Sequence, residues 1–185
     1  MDKKALRKIY KQKRTALTAQ EINIFQESIY KQIFNAEMID FNAINNVHLF
    51  LSMEKFKEID TQPIIDFFRS KEKKIIVSQC NFEDDSLTHF YLEENTELKL
   101  NKFSVPEPVN ATEVAVTEID VVFVPMLISD IENYRVGYGK GFYDRFLADC
   151  RKDTKIIGLN FFAPIAEITD CNAYDIPLDF VIFPI

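Results

Sequence analysis

The sequence predicts an α/β fold: a single domain over residues 1–185, with a mostly parallel sheet between two helical layers in a three-layer α/β/α arrangement. Short apolar runs bounded by polar or turn residues alternate along the chain with segments whose apolar residues recur at helical spacing. The runs are apolar almost throughout, the pattern of strands covered on both faces. No Pro/Ser-rich linker or internal repeat interrupts them. With 47% hydrophobic residues and 17 phenylalanines, a chain of this length can bury about two thirds of its surface around one core.

Residues 3–17 place Leu6, Ile9, Tyr10, Lys13 and Leu17 at helical spacing. Thr18-Ala19-Gln20-Glu21 is a capping box, in which each end satisfies an orphan amide of the next helix. That helix carries Ile22, Phe25, Ile29 and Ile33 and ends near Met38. Val47–Ser52, bounded by Asn45-Asn46, is a buried-strand candidate. Ile64, Ile65, Phe67 and Phe68 mark a third helix, closed by the charged Lys71–Lys74. Ile75–Gln79 and Thr88–Leu92 read as strands. Segment 93–118 has no clean period and contains Pro106-Glu107-Pro108, so it reads as an extended loop, either a binding loop or a plain crossover. Asp120–Pro125 is the fourth strand. A fourth helix runs from about Gly141 to Arg151, with Phe142, Phe146 and Cys150 four residues apart. Lys155–Phe161 and Phe180–Phe183 complete the sheet.

The formal net charge of −7 argues against general binding to nucleic acid or anionic membranes. The charge is uneven, however. Residues 1–15 hold Lys3, Lys4, Arg7, Lys8, Lys11, Lys13 and Arg14 against Asp2 alone, a basic arm on an acidic body. Such an arm is either a solvated helix face or the seat of one local anionic partner. Cys80, Cys150 and Cys171 are odd in number and widely spaced, which fits a reducing compartment and neither a disulfide scaffold nor a zinc site. No apolar stretch approaches a membrane span, and the basic N-terminal segment has no apolar region behind it as a secretory signal would. A cytoplasmic protein, monomeric, is the expectation.

Only four glycines occur, Gly137, Gly139, Gly141 and Gly158, where an ordinary share of about 7% would give about 13. Three fall within five positions, between an apolar strand and a helix. Glycines ahead of a helix N-terminus make a phosphate cradle, because free amides and the helix dipole face the anion with no Cβ in the way. Lys140 and Arg135 add charge to neutralise it. The pattern is neither a Walker A motif nor a dinucleotide fingerprint, and a tight turn that merely packs helix on strand is the lesser alternative. Asp144, in the helix's first turn, is mildly stabilised by the dipole. Beside bound phosphates it would repel them unless a divalent cation bridged the two, so Asp144 is a candidate Mg²⁺ ligand, with Asp179 a candidate second carboxylate. His48 reads as a core histidine, and His89 as structural or exposed.

The run R-V-G-Y-G-K-G-F-Y-D-R-F-L at 135–147 resembles the signature of the 5-formyltetrahydrofolate cyclo-ligase family, roughly R-L-G-x-G-[GK]-G-[YF]-Y-D-x-[YF]-L. The basic opening K-K-A-L-R, the stretch L-F-L-S-M followed by E-I-D-T, V-P-E-P at 105–108 and D-I-P-L-D at 175–179 match in the same order, so the resemblance spans residues 3 to 183. It implies a Mg²⁺- and ATP-dependent closure of 5-formyltetrahydrofolate to 5,10-methenyltetrahydrofolate, through a phosphorylated N5-formyl group (an iminium phosphate) attacked by N10. It also implies ATP contacts from Lys3, Lys4, Arg7, Arg135, Gly137, Tyr138, Gly139, Lys140, Gly141, Phe142 and Tyr143. Lys140 and Arg135 would be catalytic, and Asp144 and Asp179 would hold the metal. Leu51, Met53, Glu58, Tyr138 and Phe142 would meet the folate, Glu58 as hydrogen-bond partner of the pterin.

The chain departs from the family pattern in places. Two extra residues separate Met53 from Glu58, Phe142 replaces a common Tyr, and Asn133 stands where Gly is usual, a position Asn can hold in a left-handed turn. Met126, following Pro125 where the family often has Gly, adds a side chain able to narrow the pocket. Two other readings stay open from the residues alone: a different phosphate-binding enzyme on a similar scaffold, such as a sugar-phosphate isomerase or CoA transferase, and a non-catalytic binder using the basic helix on nucleic acid.

Overall fold

Asp2 accepts from the Ala5 amide at 2.7 Å and opens α1 (Lys3–Ala16). The capping box of Thr18 and Glu21 forms as the sequence predicts and opens α2 (Ala19–Phe34). That helix stops before Met38, a residue outside those described by the computed structural model, which covers 1–37, 39–101 and 104–185. β1 (Asn46–His48), α3 (Gln62–Ser70) and β2 (Lys74–Asn81) make a βαβ unit with parallel strands, from which β3 (Ser86–Tyr91) turns back antiparallel.

The segment expected to be an extended loop, 93–118, instead holds a hairpin of β4 (Glu97–Leu100) and β5 (Pro106–Val109), then β6 (Glu113–Val114) and a single 3₁₀ turn. The sequence hides the hairpin for a physical reason. All four β4 residues are exposed, so no buried face imposes a period. β5 pairs on one side only, where its two prolines cost no ladder bond.

β7 (Val121–Pro125) returns to the centre of the sheet, followed by a small ribbon of β8 (Ile128–Ser129) and β9 (Arg135–Val136) that the sequence reading did not contain. Then come α4 (Phe142–Asp149), β10 (Lys155–Leu159) and β11 (Phe180–Ile182). The sheet order is β11-β10-β7-β1-β2-β3-β6, with the first five strands parallel. Val47 and Phe123 join Ile29, Ile33, Ile64 and Phe68 of α2 and α3 on one face. Val122 and Val124 meet Phe146 and Leu147 of α4 on the other. The three-layer α/β/α prediction holds. α1 lies apart, packing Leu6 and Tyr10 on Leu127, Ile128 and Val136 beyond the end of β7.

Gly158, without a role in the sequence reading, is a packing glycine in β10. A Cβ there would lie 2.5 Å from both Leu178 Cδ1 and Met126 Cε. Among the described residues no helix is long and apolar enough to cross a membrane.

Candidate active site

From β1 the chain moves to β2 on one side and later returns to β7 on the other. The carboxyl ends of β1 and β7 therefore diverge, as at the ligand-binding crevice of open α/β sheets. A cleft of about 640 Å³ opens there. Its floor is the exit of β1, from His48 through Leu51 and Met53, with Ser78 and Cys80 of β2 and Pro125 of β7. α1 supplies Lys3 and Arg7, and the glycine loop with the start of α4 closes the far wall.

Gly139 and Gly141 take positive φ, +104° and +73°, which explains why glycine is needed at these two positions. Gly141 is the N-cap of α4 and provides no capping side chain, so the first-turn amides are left for a ligand. Arg7 seals the loop from the α1 side. Its Nε donates to the Gly137 carbonyl at 3.0 Å, and its guanidinium lies where a Cβ on Gly139 would come within 3.1 Å.

Two ion pairs stand beside the cradle. Arg135 Nη2 meets Asp144 Oδ1 at 2.7 Å, with the arginine side chain 5% and the aspartate 31% exposed. The Ile176 amide donates to the same oxygen at 3.2 Å. Burial pulls the Arg135 guanidinium down from its ordinary value, while the Asp144 and Asp175 carboxylates push it back up. Lys3 Nζ meets Asp175 at 2.5 Å. Lys140 is different: its side chain is 63% exposed and its ammonium is only loosely paired, 3.9 Å from Asp85.

On the opposite wall Glu58 is buried and doubly held. The Tyr138 hydroxyl donates to Oε1 at 2.6 Å and the Met53 amide to Oε2 at 2.8 Å. Burial raises the Glu58 carboxyl, and these two bonds, with the nearby Arg14 charge, oppose the rise. Phe142 faces Phe82 edge-on at 5.5 Å. At the cleft floor the Ser78 hydroxyl lies 2.7 Å from His48 Nε2 and 2.9 Å from His89 Nδ1. Desolvation holds His89 down at about 4 and His48 well below its ordinary value, so both are neutral.

The structure thus gathers Lys3, Arg7, Leu51, Met53, Glu58, Arg135, the glycine loop, Phe142, Tyr143 and Asp144 around one cleft. Lys4 is not among them; it is exposed on α1 and does not line the cleft. Asp179 is not either. It lies at the opposite, amino-terminal end of the parallel strands, where its carboxylate accepts from the Ile156 amide at 2.8 Å. The D-I-P-L-D run reaches the cleft through its first aspartate, Asp175, because Pro177 and Leu178 then carry the chain away toward β11. Met126 leaves the main cleft open, since its side chain packs at Gly158. Asn133 does take the left-handed turn, at φ +64°. Asp175 in the cleft, and Asp85 and Arg14 as partners of its Lys140 and Tyr138, are absent from the sequence reading of the site; only Arg14, an arginine within a helix's apolar stripe, left a signal in the sequence.

Among the described residues no three His, Cys, Asp or Glu side chains converge as a metal cage. One carboxylate is nevertheless what Mg²⁺ asks of a protein when phosphates and water complete its shell. Asp144 fits that use, because both of its bonds fall on Oδ1.

Residues 1–184 match the family model described as the 5-formyltetrahydrofolate cyclo-ligase family. A 5-formyltetrahydrofolate cyclo-ligase of Mycoplasma genitalium is 28% identical over 182 residues, covering 98% of both chains. One of Escherichia coli K12 is 27% identical over 179 residues, 94% of this chain and 96% of the relative. In fold, the chain is similar to a 5,10-methenyltetrahydrofolate synthetase from Mycoplasma pneumoniae, with a TM-score of 0.78 at 20% identity over 98% of each chain. The Aquifex aeolicus synthetase gives a TM-score of 0.75 at 24% identity, over 99% of this chain and 90% of the other. With a family match running the length of the glycine loop, the cleft and the sheet that carries them, the chain belongs to the 5-formyltetrahydrofolate cyclo-ligase family.

Proposed function

We propose that the protein closes 5-formyltetrahydrofolate to 5,10-methenyltetrahydrofolate and converts ATP to ADP and phosphate, as a cytoplasmic, monomeric enzyme. The observation that supports this most is the uncapped start of α4, with two positive-φ glycines and the cationic side chains of Lys3, Arg7 and Lys140, sharing one cleft with the buried acid Glu58. An anion cradle and an acceptor for ring N–H groups are the two halves such a reaction needs.

An amide oxygen is a poor leaving group, so the N5-formyl oxygen first attacks the γ-phosphorus and ADP departs. N10 then attacks the resulting iminium carbon. Loss of the N10 proton and of phosphate leaves the methenyl bridge. Transfer of this kind asks the protein mainly for positioning and charge neutralisation. The amides of Gly139 to Phe142 and the Lys140 ammonium meet the phosphates. Lys3 and Arg7 extend the cationic wall from α1. Arg135, buried against Asp144, acts by holding that carboxylate. Mg²⁺, when bound, supplies charge neutralisation at the phosphates, with Asp144 the residue that would hold it. Glu58 accepts from the pterin, Leu51 and Met53 line its edge, and Tyr138 and Phe142 offer it flat apolar surface.

Of the basic helix, Lys3, Arg7 and Arg14 turn toward the cleft or the interior, which leaves Lys4, Lys8, Lys11 and Lys13 as its exposed charge. Incubating the protein with Mg-ATP and 5-formyltetrahydrofolate should generate the near-ultraviolet absorbance of the methenyl product. No product under those conditions would sink the proposal.

A further inference from the structure

Arg14 is the one arginine of α1 that the cleft does not expose. Its side chain is 5% exposed, far inside for a cation without a carboxylate in direct contact. Nη1 donates to the Tyr138 hydroxyl at 2.9 Å, and Nη2 donates to the Met126 carbonyl just beyond β7. Nε has no protein partner among the described residues, and the same is true of Asn160 Oδ1. Both residues line a second cavity of about 10 Å³, near the size one bridging water requires. A buried guanidinium so incompletely paired costs stability. Replacing it with an apolar side chain would remove that cost, which directs attention to what the charge does.

The hydroxyl that Arg14 contacts has only one proton. Because Arg14 can only donate, the Tyr138 oxygen accepts from it and must send its own hydrogen elsewhere. It goes to Glu58 Oε1 at 2.6 Å. Arg14 thereby sets the direction of the Tyr138 hydrogen bond, and a chain runs from α1 through the glycine loop to the strand exit after β1. We propose that Arg14 is the positioning residue for the folate half of the site, holding Glu58 in one orientation through the Tyr138 hydroxyl while touching no substrate itself.

The inference rests on Glu58 being the pterin acceptor. It also predicts a charge effect. The groups around Glu58 are the Tyr138 hydroxyl, the Met53 amide and Arg14, with Tyr143 close enough to feel its charge. Of these only Arg14 is cationic, and its loss lets burial raise the carboxyl further. The limb on which folate kcat/KM falls with acid then moves to higher pH.

The test compares Arg14→Met, Arg14→Lys, Tyr138→Phe and Glu58→Gln in the full chain, each checked by thermal melting. Tyr138→Phe cuts the connection while leaving Arg14 and the aromatic ring in place, so it serves if Arg14→Met fails to fold. The expected result is a KM for 5-formyltetrahydrofolate raised about tenfold in Arg14→Met and Tyr138→Phe, equivalent to about 1.4 kcal/mol. KM for ATP stays within twofold. In Arg14→Met the acid limb moves up in pH, and Arg14→Lys restores its position. In the Glu58→Gln background, Arg14→Met should add little, because the group it acts through has gone. If Glu58→Gln leaves folate KM unchanged, the reading of Glu58 itself fails. If Glu58→Gln raises folate KM while Arg14→Met and Tyr138→Phe do not, or if they weaken ATP and folate alike, the positioning role is overturned.

Discussion

Replacing Asp144 by Asn separates two duties that the structure places on one carboxylate. Asn keeps the shape and a carbonyl acceptor but loses the charge. A hydrogen bond between charged groups is worth about 1.5–3 kcal/mol and a neutral one about 0.5–1.5, so the exchange at the 2.7 Å contact with Arg135 costs about 1 kcal/mol. Stripping a buried guanidinium of its counter-ion can cost about 3–5 kcal/mol. Here the aspartate side chain is 31% exposed and Asp175 still acts on Arg135, which holds the total to about 1–2 kcal/mol. At this chain length that corresponds to a Tm lowered by about 2–8 °C. Urea unfolding at pH 7 reads this term. Turnover against Mg²⁺ concentration at saturating ATP reads the other, and the half-saturating concentration should rise about tenfold or more for one lost charged ligand. A variant that loses stability while its Mg²⁺ dependence stays put would show that Asp144 serves Arg135 alone. One that loses no stability would refute the ion-pair reasoning.

Lys140→Ala, at an exposed and loosely paired site, should lower kcat/KM for ATP by an order of magnitude or more while stability changes by less than about 0.5 kcal/mol; unaltered ATP kinetics would remove Lys140 from the phosphates. Gly158→Ala should destabilise by about 1–2 kcal/mol, the overpacking cost less the backbone entropy gained. Combined in urea titrations with Leu178→Ala, which opens space at the clash, it should cost less than the two changes added, and simple additivity would contradict the packing account. For His89, the unfolded chain takes up a proton below about pH 6.5 that the folded protein refuses until about 4. Its contribution is therefore full above pH 6.5 and declines as pH falls toward 4, by up to about 1.4 kcal/mol per pH unit. His89→Gln should flatten the fall in urea stability between pH 6.5 and 5, and an unchanged slope would refute the assignment.

The core of the fold was legible because burial on both faces leaves a readable trace. β7 is apolar at four consecutive positions, Val121 to Val124, and the capping box of α2 announces itself through Thr18 and Glu21. The β4–β5 hairpin was not, since its exposed residues obey no period, and the β8–β9 ribbon is too short to show one. At the site, the glycine loop was visible because three of four glycines converge on it. Of the two acids in D-I-P-L-D, Asp175 lines the cleft and Asp179 does not; sequence alone cannot tell which aspartate precedes the bend. Arg14 shows locally as an arginine within an apolar stripe, but its partner does not: the Arg14–Tyr138 bond spans 124 residues, and it and the Ser78 bonds to His48 and His89 join segments with no shared local signature.

The tie between the two ends of the chain also orders events in time. α1 is made first, yet Lys3 bonds Asp170 across 167 residues and Arg14 bonds Tyr138 across 124. At about 5–20 residues per second, about 6 to 33 seconds of synthesis separate the helix from its partners. During that interval Leu6 and Tyr10 have nothing to pack against, and the cleft has one wall missing. A nascent chain can build β1, α3 and β2 early, but it cannot seat α1 against the glycine loop, and so close the cleft, until nearly all of it has left the ribosome.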